Sequence, residues 1–465
     1  MRFLTRYCGF EMTETRKVDS EKTNYKNMSR IHVSEIKKHV GKEVTIAGFA
    51  QAIRDQGNIK FLMIRDSSGL AQVVVSKKFP EAMAAVAALS LESVVEIEGM
   101  AKEEAQAPGG FEVGAEKIKV LSAAEPELPI PVYEKGNQEE AEQSIRLDWR
   151  QIDLRKPKNL LVFKAWTAME EGFREYWTGA DYIEIHSPKL IAAASESGSE
   201  VFEVKYFDRK AYLAQSPQFY KQMAMAAGFE KVFEVGPVFR AEPSFTSRHA
   251  TEFTGYDAEI SYITSHFDVM AEEEKAIVSA LKKVKEKCGD EILKEFNREV
   301  VVPTAPFPKL TMKEAKEILG KMGVPSEKPG DLSPEEERKI CEYVKEKEGH
   351  EFVFVTDYPI TVRPFYHMRH EDDPTLTKSF DLLWNGIEVT TGAQREHRYD
   401  VLLAQAKEKG MGTESIQFYL NFFRYGCPPH GGYGMGPNRM IMKLLNIETI
   451  REAMFVYRGV KRLKP

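Results

Sequence analysis

Cysteine is scarce in this 465-residue sequence, and no CxxC pair occurs among Cys8, Cys288, Cys341 and Cys427. This spacing excludes a disulfide framework and a cysteine-rich zinc site. The HxxH pair formed by His367 and His370 is too weak a signal to indicate a transition metal. We therefore expect a cytoplasmic protein without a bound transition metal.

Long hydrophobic runs, excess positive charge and the common nucleotide-binding motifs are also missing. No apolar run approaches the roughly 18 to 20 residues that cross a bilayer, so we expect no membrane partner. The formal net charge of -6 excludes nucleic-acid binding through overall basicity, so any such surface has to be local. The P-loop pattern GxxxxGKS/T does not occur, and the glycine run beginning at Gly432 has the spacing GxGxG rather than GxGxxG.

Patterning along the chain divides it into four segments. Residues 1–30 are charged, so we expect a disordered extension, and Met28 is an alternative start. Residues 31–124 contain five strand-like stretches with one helical pattern between the third and the fourth, as in an OB-fold barrel. Residues 125–145 begin with a proline-rich stretch that is typical of a linker, and residues 146–465 form a larger domain.

The small β domain carries aromatic and basic side chains that suit single-stranded nucleic acid. Phe49 and Phe61 can stack on unpaired bases, with Lys77 and Lys78 among the cations available for phosphates. The alternative is that one of the phenylalanines is barrel core and that the lysines are only solvated. The spacing is equally consistent with both.

The larger domain contains two kinds of helical pattern, one apolar and one charged. Residues 159–177 place apolar side chains at helical spacing and precede a short strand, residues 182–188, which ends at a proline that cannot continue a ladder. The charged patterns over residues 267–297 and 311–349 are interpreted as ordinary helices that cover a sheet.

Residues 231–262 are predicted to form two strands joined by a polar loop. Alternation places Arg240 and Glu242 on one face, and Asp257 and Glu259 also share a face. Burying so many charges is costly without a ligand or strict pairing. The alternative to a ligand site is a salt-bridged sheet in which Arg240 pairs with Glu259.

A second segment adds glycines and one more cation. The glycine-rich stretch that ends at Gly436 precedes an apolar helical pattern over residues 440–445, so Arg439 lies at a helix start. Glycines allow a ligand or a second backbone to approach closely. The two segments together indicate a site for ATP.

Paired carboxylates lie on a third hairpin, whose Asn385-Gly386 turn is typical of type I′. Two-residue pairing sets Glu388 opposite Leu383, so Asp381 and Glu388 project to the same side, an arrangement that suits Mg²⁺ bound to phosphates. Thr391 faces the other way unless a bulge forms near Gly392. The alternative is that the carboxylates only neutralise lysines on the sheet.

The two ATP-site segments resemble motifs 2 and 3 of the class II aminoacyl-tRNA synthetases, and the helix-strand unit ending at Pro188 resembles motif 1, their dimer element. The resemblance extends from Ile31 to Pro465 and is most specific for the aspartyl-tRNA synthetase family of archaeal and eukaryotic type. The runs that carry it are residues 146–150, 215–222, 363–366, 392–395 and 461–465.

This resemblance implies an α+β protein with an N-terminal OB-fold anticodon-binding barrel and a catalytic domain whose antiparallel sheet is flanked by helices. It also implies ATP-dependent aminoacylation of tRNA(Asp) with L-aspartate through an aspartyl-adenylate, Mg²⁺ as cofactor and a homodimer formed around Pro188.

Site roles follow from the same resemblance. Lys221 and Arg395 would hold the aspartate side chain, so that asparagine leaves both cations underpaired. The amino acid would be oriented by Glu196, Gln218 and Asp257, with Ser216 nearby. The ATP-binding residues would be Arg240, Glu242, Arg248, His249, Phe253, Glu388, Gly436 and Arg439, of which Arg240 and Arg439 act on the phosphates during catalysis. Mg²⁺ would be held by Asp381, Glu388 and Thr391.

Alternatives and departures remain. The chain is alternatively a non-discriminating enzyme that also charges tRNA(Asn), an asparaginyl-tRNA synthetase or adenylating paralogue, or an inactive nucleic-acid-binding module. Gln51 with Lys77 or Lys78 favours charging of the aspartate tRNA alone. Asn438 stands where the family has a carboxylate before the motif 3 arginine, which is expected to loosen the orientation of Arg439.

Overall fold

The computed structural model describes residues 30–133, 140–193, 201–244 and 246–465. The chain forms two compact units, the first ending at Leu128 and the second beginning at Pro129. The predicted order of an OB-fold barrel and then a larger α+β domain is confirmed. Among the described residues, no helix combines the length and apolar character required to cross a membrane.

The first unit is a closed five-stranded barrel with the strand order β1-β2-β3-β5-β4. Its elements are β1 (Glu43–Asp55), β2 (Ile59–Asp66), β3 (Gly69–Ser76), α1 (Pro80–Ala87), β4 (Val94–Glu103) and β5 (Phe111–Ser122), with short 3-10 helices at Val33–His39 and Pro108–Gly110. Alternate residues of the strands, such as Leu62 and Ile64 of β2, are fully buried in the barrel core, as period-two patterning requires. Helix α1 lies between β3 and β4, where the sequence predicts it.

The second unit is built on an eight-stranded sheet with the order β12-β13-β14-β15-β16-β11-β10-β6. The strands of this unit are β6 (Ile183–Glu184), β7 (Leu190–Ile191), β8 (Glu203–Tyr206), β9 (Arg209–Leu213), β10 (Lys231–Phe239), β11 (Glu252–Ser261), β12 (Lys309–Thr311), β13 (Phe352–Thr356), β14 (Ser379–Trp384), β15 (Ile387–Gln394) and β16 (His430–Met435). Pairing is antiparallel from β13 across to β10, but β12 joins β13 and β6 joins β10 in parallel. The sheet is therefore mixed rather than purely antiparallel, because chain segments return to both edges through helical connections.

Helices cover this sheet. They are α2 (Gln143–Asp148), α3 (Arg150–Asp153), α4 (Pro157–Gly179), α5 (Gln218–Ala226), α6 (His266–Phe296), α7 (Met312–Lys321), α8 (Pro334–Glu348), α9 (Tyr399–Glu408), α10 (Gln417–Leu420) and α11 (Pro437–Leu444), with 3-10 turns at Ile360–Val362 and Asn421–Phe423. Helices α4 and α6 share the main core cluster with the inner sheet residues. They approach so closely that a Cβ on Gly172 would lie 2.6 Å from the Ala280 Cα.

Local signals fix the ends of the covering helices. Helix α8 begins with a capping box between Ser333 and Glu336, has Pro334 in its first turn, and ends at Gly349 with a φ of 69°. Helices α7 and α8 pack on β13 and β14 in a separate apolar cluster. The face of the sheet opposite α4 and α6 also carries an open cavity, whose residues Gly255 and Asp257 alternate along β11 with the core residues Tyr256 and Ala258.

Candidate active site

A cavity of about 420 Å³ lies over β10, β11, β15 and β16 of the second unit. Most of the residues predicted to bind amino acid or ATP line it, although they are far apart in the sequence. They are Ser216, Gln218, Arg240, Glu242, Arg248, His249, Phe253, Asp257, Glu388, Thr391, Arg395, Gly436 and Arg439. Lys221 and Asp381 are instead buried behind this wall, and Glu196 lies outside the described residues.

Four buried charges form one cluster at the end of the cavity near helix α5. The Lys221 Nζ lies 2.7 Å from the Asp257 Oδ1 and 3.4 Å from the Glu259 Oε2. The Arg395 Nε donates to the Glu259 Oε1 at 3.0 Å. Asp257 and Glu259 therefore already neutralise both cations within the protein, and the predicted binding of the aspartate side chain by Lys221 and Arg395 stays a prediction. The alternative pairing of Arg240 with Glu259 is wrong, because Arg395 and Lys221 occupy that carboxylate.

Glu259 is the centre of this cluster. Its side chain is fully buried, and burial alone would raise its pKa, but Arg395 and Lys221 lower the pKa below the ordinary value, so the carboxylate is ionised. Glu259 pairs across the sheet with Gly432, where a Cβ would lie 2.2 Å from the Glu259 Oε2. One glycine of the run thus makes room for a carboxylate rather than for a ligand.

His367 is a member of the site that the sequence reasoning did not assign. It lines the cavity, and the Arg395 Nη1 donates to its Nε2 at 2.9 Å. Burial, with Arg395 adding to the effect, holds the pKa of His367 well below its ordinary value, so the ring is neutral and accepts this bond. Its HxxH partner, His370, pairs with Asp357 at 2.9 Å.

Helix α5 begins at the cavity and presents an amide to it. The Ser216 hydroxyl accepts from the Gln218 backbone N–H at 3.1 Å, which fixes the helix start. The Gln218 Nε2 is buried and has no hydrogen-bond partner among the described residues. Gln218 therefore retains a donor for a ligand in the cavity.

Arginines and one aromatic ring lie toward the opposite end. The Arg240 guanidinium carbon lies 5.5 Å from the centroid of the Phe253 ring, and the Arg240 Nε is buried without a described partner. Arg439 lies in the first turn of helix α11, close to Gly436, as predicted, and its Nη1 donates to the Glu388 backbone oxygen at 2.9 Å. Burial, reinforced by Arg439, lowers the pKa of His249, which therefore is neutral near pH 7. An anionic ligand thus meets fixed cations and a flat ring here.

Asn438, next to Arg439, is anchored to the chain. Its Nδ2 donates to the Ala453 backbone oxygen at 3.2 Å, and only 2% of the residue is exposed. Arg439 is held by Glu388 instead, so the missing carboxylate does not leave this arginine without support.

The carboxylate hairpin has the predicted pairing of Glu388 with Leu383, but the bulge lies elsewhere. A register shift at Val389, not near Gly392, places Thr391 opposite Asp381. The Thr391 hydroxyl donates to the Glu388 Oε1 at 3.1 Å, so it shares a face with the two carboxylates.

Asp381 has an arginine partner that the sequence did not reveal. The Arg363 Nη2 lies 2.7 Å from the Asp381 Oδ2, while the Oδ1 is buried without a hydrogen-bond partner among the described residues. Burial raises the pKa of Asp381, with Glu388 adding to the rise. Arg439 and Arg363 keep the pKa of Glu388 below its ordinary value against the effect of burial.

The two carboxylates and the Thr391 hydroxyl fit a hard divalent cation. The Asp381 Oδ1 is buried and has no hydrogen-bond partner in the part of the chain that the structure describes, so it needs a positive or donating partner. No group of three or more His, Cys, Asp or Glu side chains gathers into a metal site within the described ranges. A cation here would thus take further ligands from phosphate oxygens or water.

In the barrel, Phe49 and Phe61 both lie outside the buried core cluster and are partly exposed. Register places Phe49 opposite Arg65, and Phe61 shares a face of β2 with Arg65. The alternative that one phenylalanine is barrel core is therefore wrong.

The other barrel candidates differ in exposure. Gln51 is 9% exposed and accepts from the Arg65 Nη1 at 3.1 Å, whereas Lys77 and Lys78 are exposed at the end of β3. Arg65 also pairs with the Glu92 carboxylate at 2.7 Å. The outer face of β1 and β2 thus presents two rings beside a buried, paired arginine.

Comparison with known proteins gives the family. The profile described as tRNA synthetases class II (D, K and N) matches residues 142–457, and that of the OB-fold nucleic acid binding domain matches residues 44–121. The chain therefore belongs to the class II tRNA synthetases (D, K and N), as the motifs predict.

Individual relatives are similar over almost their whole length. An aspartate–tRNA(Asp/Asn) ligase of Aeropyrum pernix is 45% identical over 432 residues, which are 92% of this chain and 96% of the relative. An aspartate–tRNA(Asp) ligase of Pyrococcus furiosus is 43% identical over 94% of this chain and 100% of the relative.

Solved structures are similar in fold. Asparaginyl-tRNA synthetase from Pyrococcus horikoshii, complexed with asparaginyl-adenylate, has a TM-score of 0.87 and 34% identity over 94% of this chain and 100% of its own. The aspartyl-tRNA synthetase of Entamoeba histolytica has a TM-score of 0.85 and 31% identity over 100% of this chain and 99% of its own.

Proposed function

We propose that this synthetase activates L-aspartate with ATP and transfers it to tRNA(Asp). The observation that carries the proposal is a single cavity with Arg395 and Asp257 at one end and Arg240, Phe253 and Arg439 at the other. Such a cavity holds a small amino acid and a nucleotide side by side. Relatives named aspartate–tRNA ligases, at 41–45% identity, support this choice of amino acid.

Activation requires no general base. The aspartate α-carboxylate is ionised at neutral pH, so it can attack the α-phosphorus in line, displace pyrophosphate and form an aspartyl-adenylate. Arg240 would stabilise the charge that develops on the α-phosphoryl oxygens. Phe253 and Arg439 would enclose the adenine ring, with Glu242 at its edge, and His249 would contact the terminal phosphate.

Asp381, Glu388 and Thr391 would hold Mg²⁺ against the phosphates. When bound, this ion neutralises negative charge on the phosphoryl oxygens. The unpartnered Asp381 Oδ1 and the shared face of the three side chains support this assignment.

Selection of aspartate follows from the charge balance of the buried cluster. Lys221 and Arg395 carry two positive charges, and Asp257 and Glu259 carry two negative ones, so the cluster alone is neutral. The substrate ammonium would bind Asp257 on the cavity side and add one positive charge, while the Gln218 amide helps to orient the amino acid. Because the substrate α-carboxylate is directed to ATP, a side-chain carboxylate against Arg395 balances the ammonium within this cluster, whereas asparagine leaves that ammonium unbalanced in a desolvated site.

The barrel would bind the anticodon through stacking on Phe49 and Phe61, with Lys77 and Lys78 near phosphates and Gln51 held by Arg65. The acceptor end would receive aspartate on its terminal ribose. We further propose a cytoplasmic homodimer that pairs through the segment around Pro188.

A second candidate is charging of both tRNA(Asp) and tRNA(Asn). It is favoured by the Aeropyrum pernix relative, whose name covers both tRNAs. Both candidates share the amino acid and differ only in the tRNA.

The test is aspartate-dependent pyrophosphate exchange with ATP and Mg²⁺, followed by charging of purified aspartate and asparagine tRNAs side by side. We expect exchange with aspartate and none with asparagine at the same concentration. Exchange that depends on asparagine instead would overturn the proposal. Equal charging of both tRNAs would establish the second candidate.

A further inference from the structure

Helix α8, which the sequence presents only as a covering helix, places a carboxylate against Arg248, a residue that lines the cavity. Glu337 lies in the first turns of α8 and only 7% of the residue is exposed. The Arg248 Nη1 donates to its Oε2 at 2.6 Å. These two residues are 89 positions apart, so the contact joins the loop between β10 and β11 to helix α8.

The backbone around Arg248 is fixed at several points. The Ile450 N–H donates to the Ser247 backbone oxygen at 2.8 Å, and the Arg451 Nη2 donates to the Thr246 backbone oxygen at 3.2 Å. An arginine side chain on such a loop still retains several rotatable bonds, whose freedom is lost when it binds an anion. A second fixed contact at the guanidinium removes part of that cost beforehand.

Glu337 is itself held rigidly. The capping box of Ser333 and Glu336 fixes the start of α8, and Glu336 also pairs with Lys316. Arg338, the next residue, packs against the β14–β15 turn so closely that a Cβ on Gly386 would lie 2.8 Å from its Cγ. The helix is therefore seated on the same hairpin that carries Glu388.

Electrostatic contacts place Glu337 beside the groups of the proposed triphosphate site. Burial raises the pKa of Glu337, with Glu388 adding to the rise, whereas Arg248 and Arg439 oppose it. One guanidinium nitrogen of Arg248 is engaged by Glu337, and a guanidinium has five N–H donors in a planar fork. The remaining donors can serve a phosphate.

We infer that Glu337 is a positioning residue for ATP: it orients the Arg248 guanidinium toward the terminal phosphate from a rigid helix outside motifs 2 and 3. This inference rests on the proposed function of the cavity. It assigns Glu337 no contact with the substrate and no proton transfer. The opposite role would be competition, in which Glu337 draws Arg248 away from the phosphate.

The experiment is aspartate-dependent pyrophosphate exchange by the full chain, with ATP varied at saturating aspartate, for Glu337→Gln and for Glu335→Gln as matched control. Glu335 lies in the same turn but is exposed. We expect Glu337→Gln to raise the KM for ATP about tenfold, because glutamine can still accept from Arg248 but removes the negative charge that strengthens this hydrogen bond. The KM for aspartate and the melting temperature should stay near those of the wild type, and Glu335→Gln should change nothing.

Two further variants separate positioning from a general structural effect. Glu337→Asp keeps the charge and should recover part of the ATP affinity. In an Arg248→Ala background, Glu337→Gln should add no further loss, because its partner is already missing. Should Glu337→Gln fail to fold, Arg248→Lys, at a side chain that is 17% exposed, should raise the KM for ATP similarly.

The outcomes are distinct. A lower KM for ATP in Glu337→Gln would indicate competition and refute the inference. The inference is also refuted if Glu337→Gln raises the KM for ATP as much in the Arg248→Ala background as it does in the wild type. If the wild type exchanges normally and Glu337→Gln does as well, only the inference fails. If the wild type shows no exchange with aspartate, the proposed function fails.

Discussion

Replacing Glu259 with glutamine tests the neutral cluster on which the amino-acid site depends. The substitution preserves size and one acceptor oxygen but removes a negative charge from a fully buried position. Lys221 then keeps the Asp257 carboxylate, whereas Arg395 loses the Glu259 carboxylate. We expect the protein to fold but to be markedly less stable at neutral pH.

The size of this loss of stability follows from the contacts of Glu259. Removing one partner of a buried ion pair typically costs about 3–5 kcal/mol, because the remaining charge is left unpaired. Asp257 still lies 2.7 Å from the Lys221 Nζ, and glutamine can still accept from the Arg395 Nε. We therefore expect the free energy of unfolding to fall by about 3 kcal/mol, the lower end of this range.

The pKa of Glu259 determines how this loss of stability changes with pH. The pKa of Glu259 in the folded protein is lowered below its ordinary value of 4.5, so its stabilisation is fully present above that pH. This stabilisation is lost as the pH falls through the folded pKa. The difference between wild type and Glu259→Gln should thus shrink below about pH 4.5.

Urea unfolding at pH 7 and pH 4 measures this difference, with Glu252→Gln as control at an exposed position of the same strand. The KM for aspartate should also rise, because Arg395 loses an anchor. Equal stability of wild type and Glu259→Gln at pH 7 would refute the ion-paired cluster. A difference that does not change with pH would refute the ionised state of Glu259.

Two further predictions concern other parts of the chain. Burial raises the pKa of Glu273 to about 8, with Glu274 and Asp381 adding to the rise, so stability should fall as the pH increases from about 4.5 to 8. Glu273→Gln should flatten this dependence and increase stability at pH 8 by roughly 2–4 kcal/mol in urea unfolding, and an unchanged slope would contradict the assignment. Phe61→Ala should raise the KM for tRNA about tenfold, as expected for one lost base stack, and leave pyrophosphate exchange intact. An equal effect of Ile59→Ala, at an exposed position of the same strand, would argue against stacking.

Much of the fold follows from local signals. Period-two alternation in the barrel strands, the Asn385-Gly386 turn and the glycine that precedes Arg439 each act through neighbouring residues, and the structure has the predicted elements at these places. The bulge that turns Thr391 toward the carboxylates lies at Val389 rather than near Gly392, because alternation alone does not show which residue of a strand is left unpaired.

The sequence by itself determined the two-unit organisation, because periodicity and turn chemistry are read along the chain, and its motifs carried the resemblance that gave the family and most of the cavity residues. Only the tertiary structure decided which charges are already paired. Glu259 with Arg395, Arg363 with Asp381 and Arg248 with Glu337 are contacts between distant segments. Whether these groups pair depends on side-chain geometry across the folded sheet. At such buried positions, a cation that is available for a ligand and a cation that a carboxylate already neutralises imply opposite chemistry.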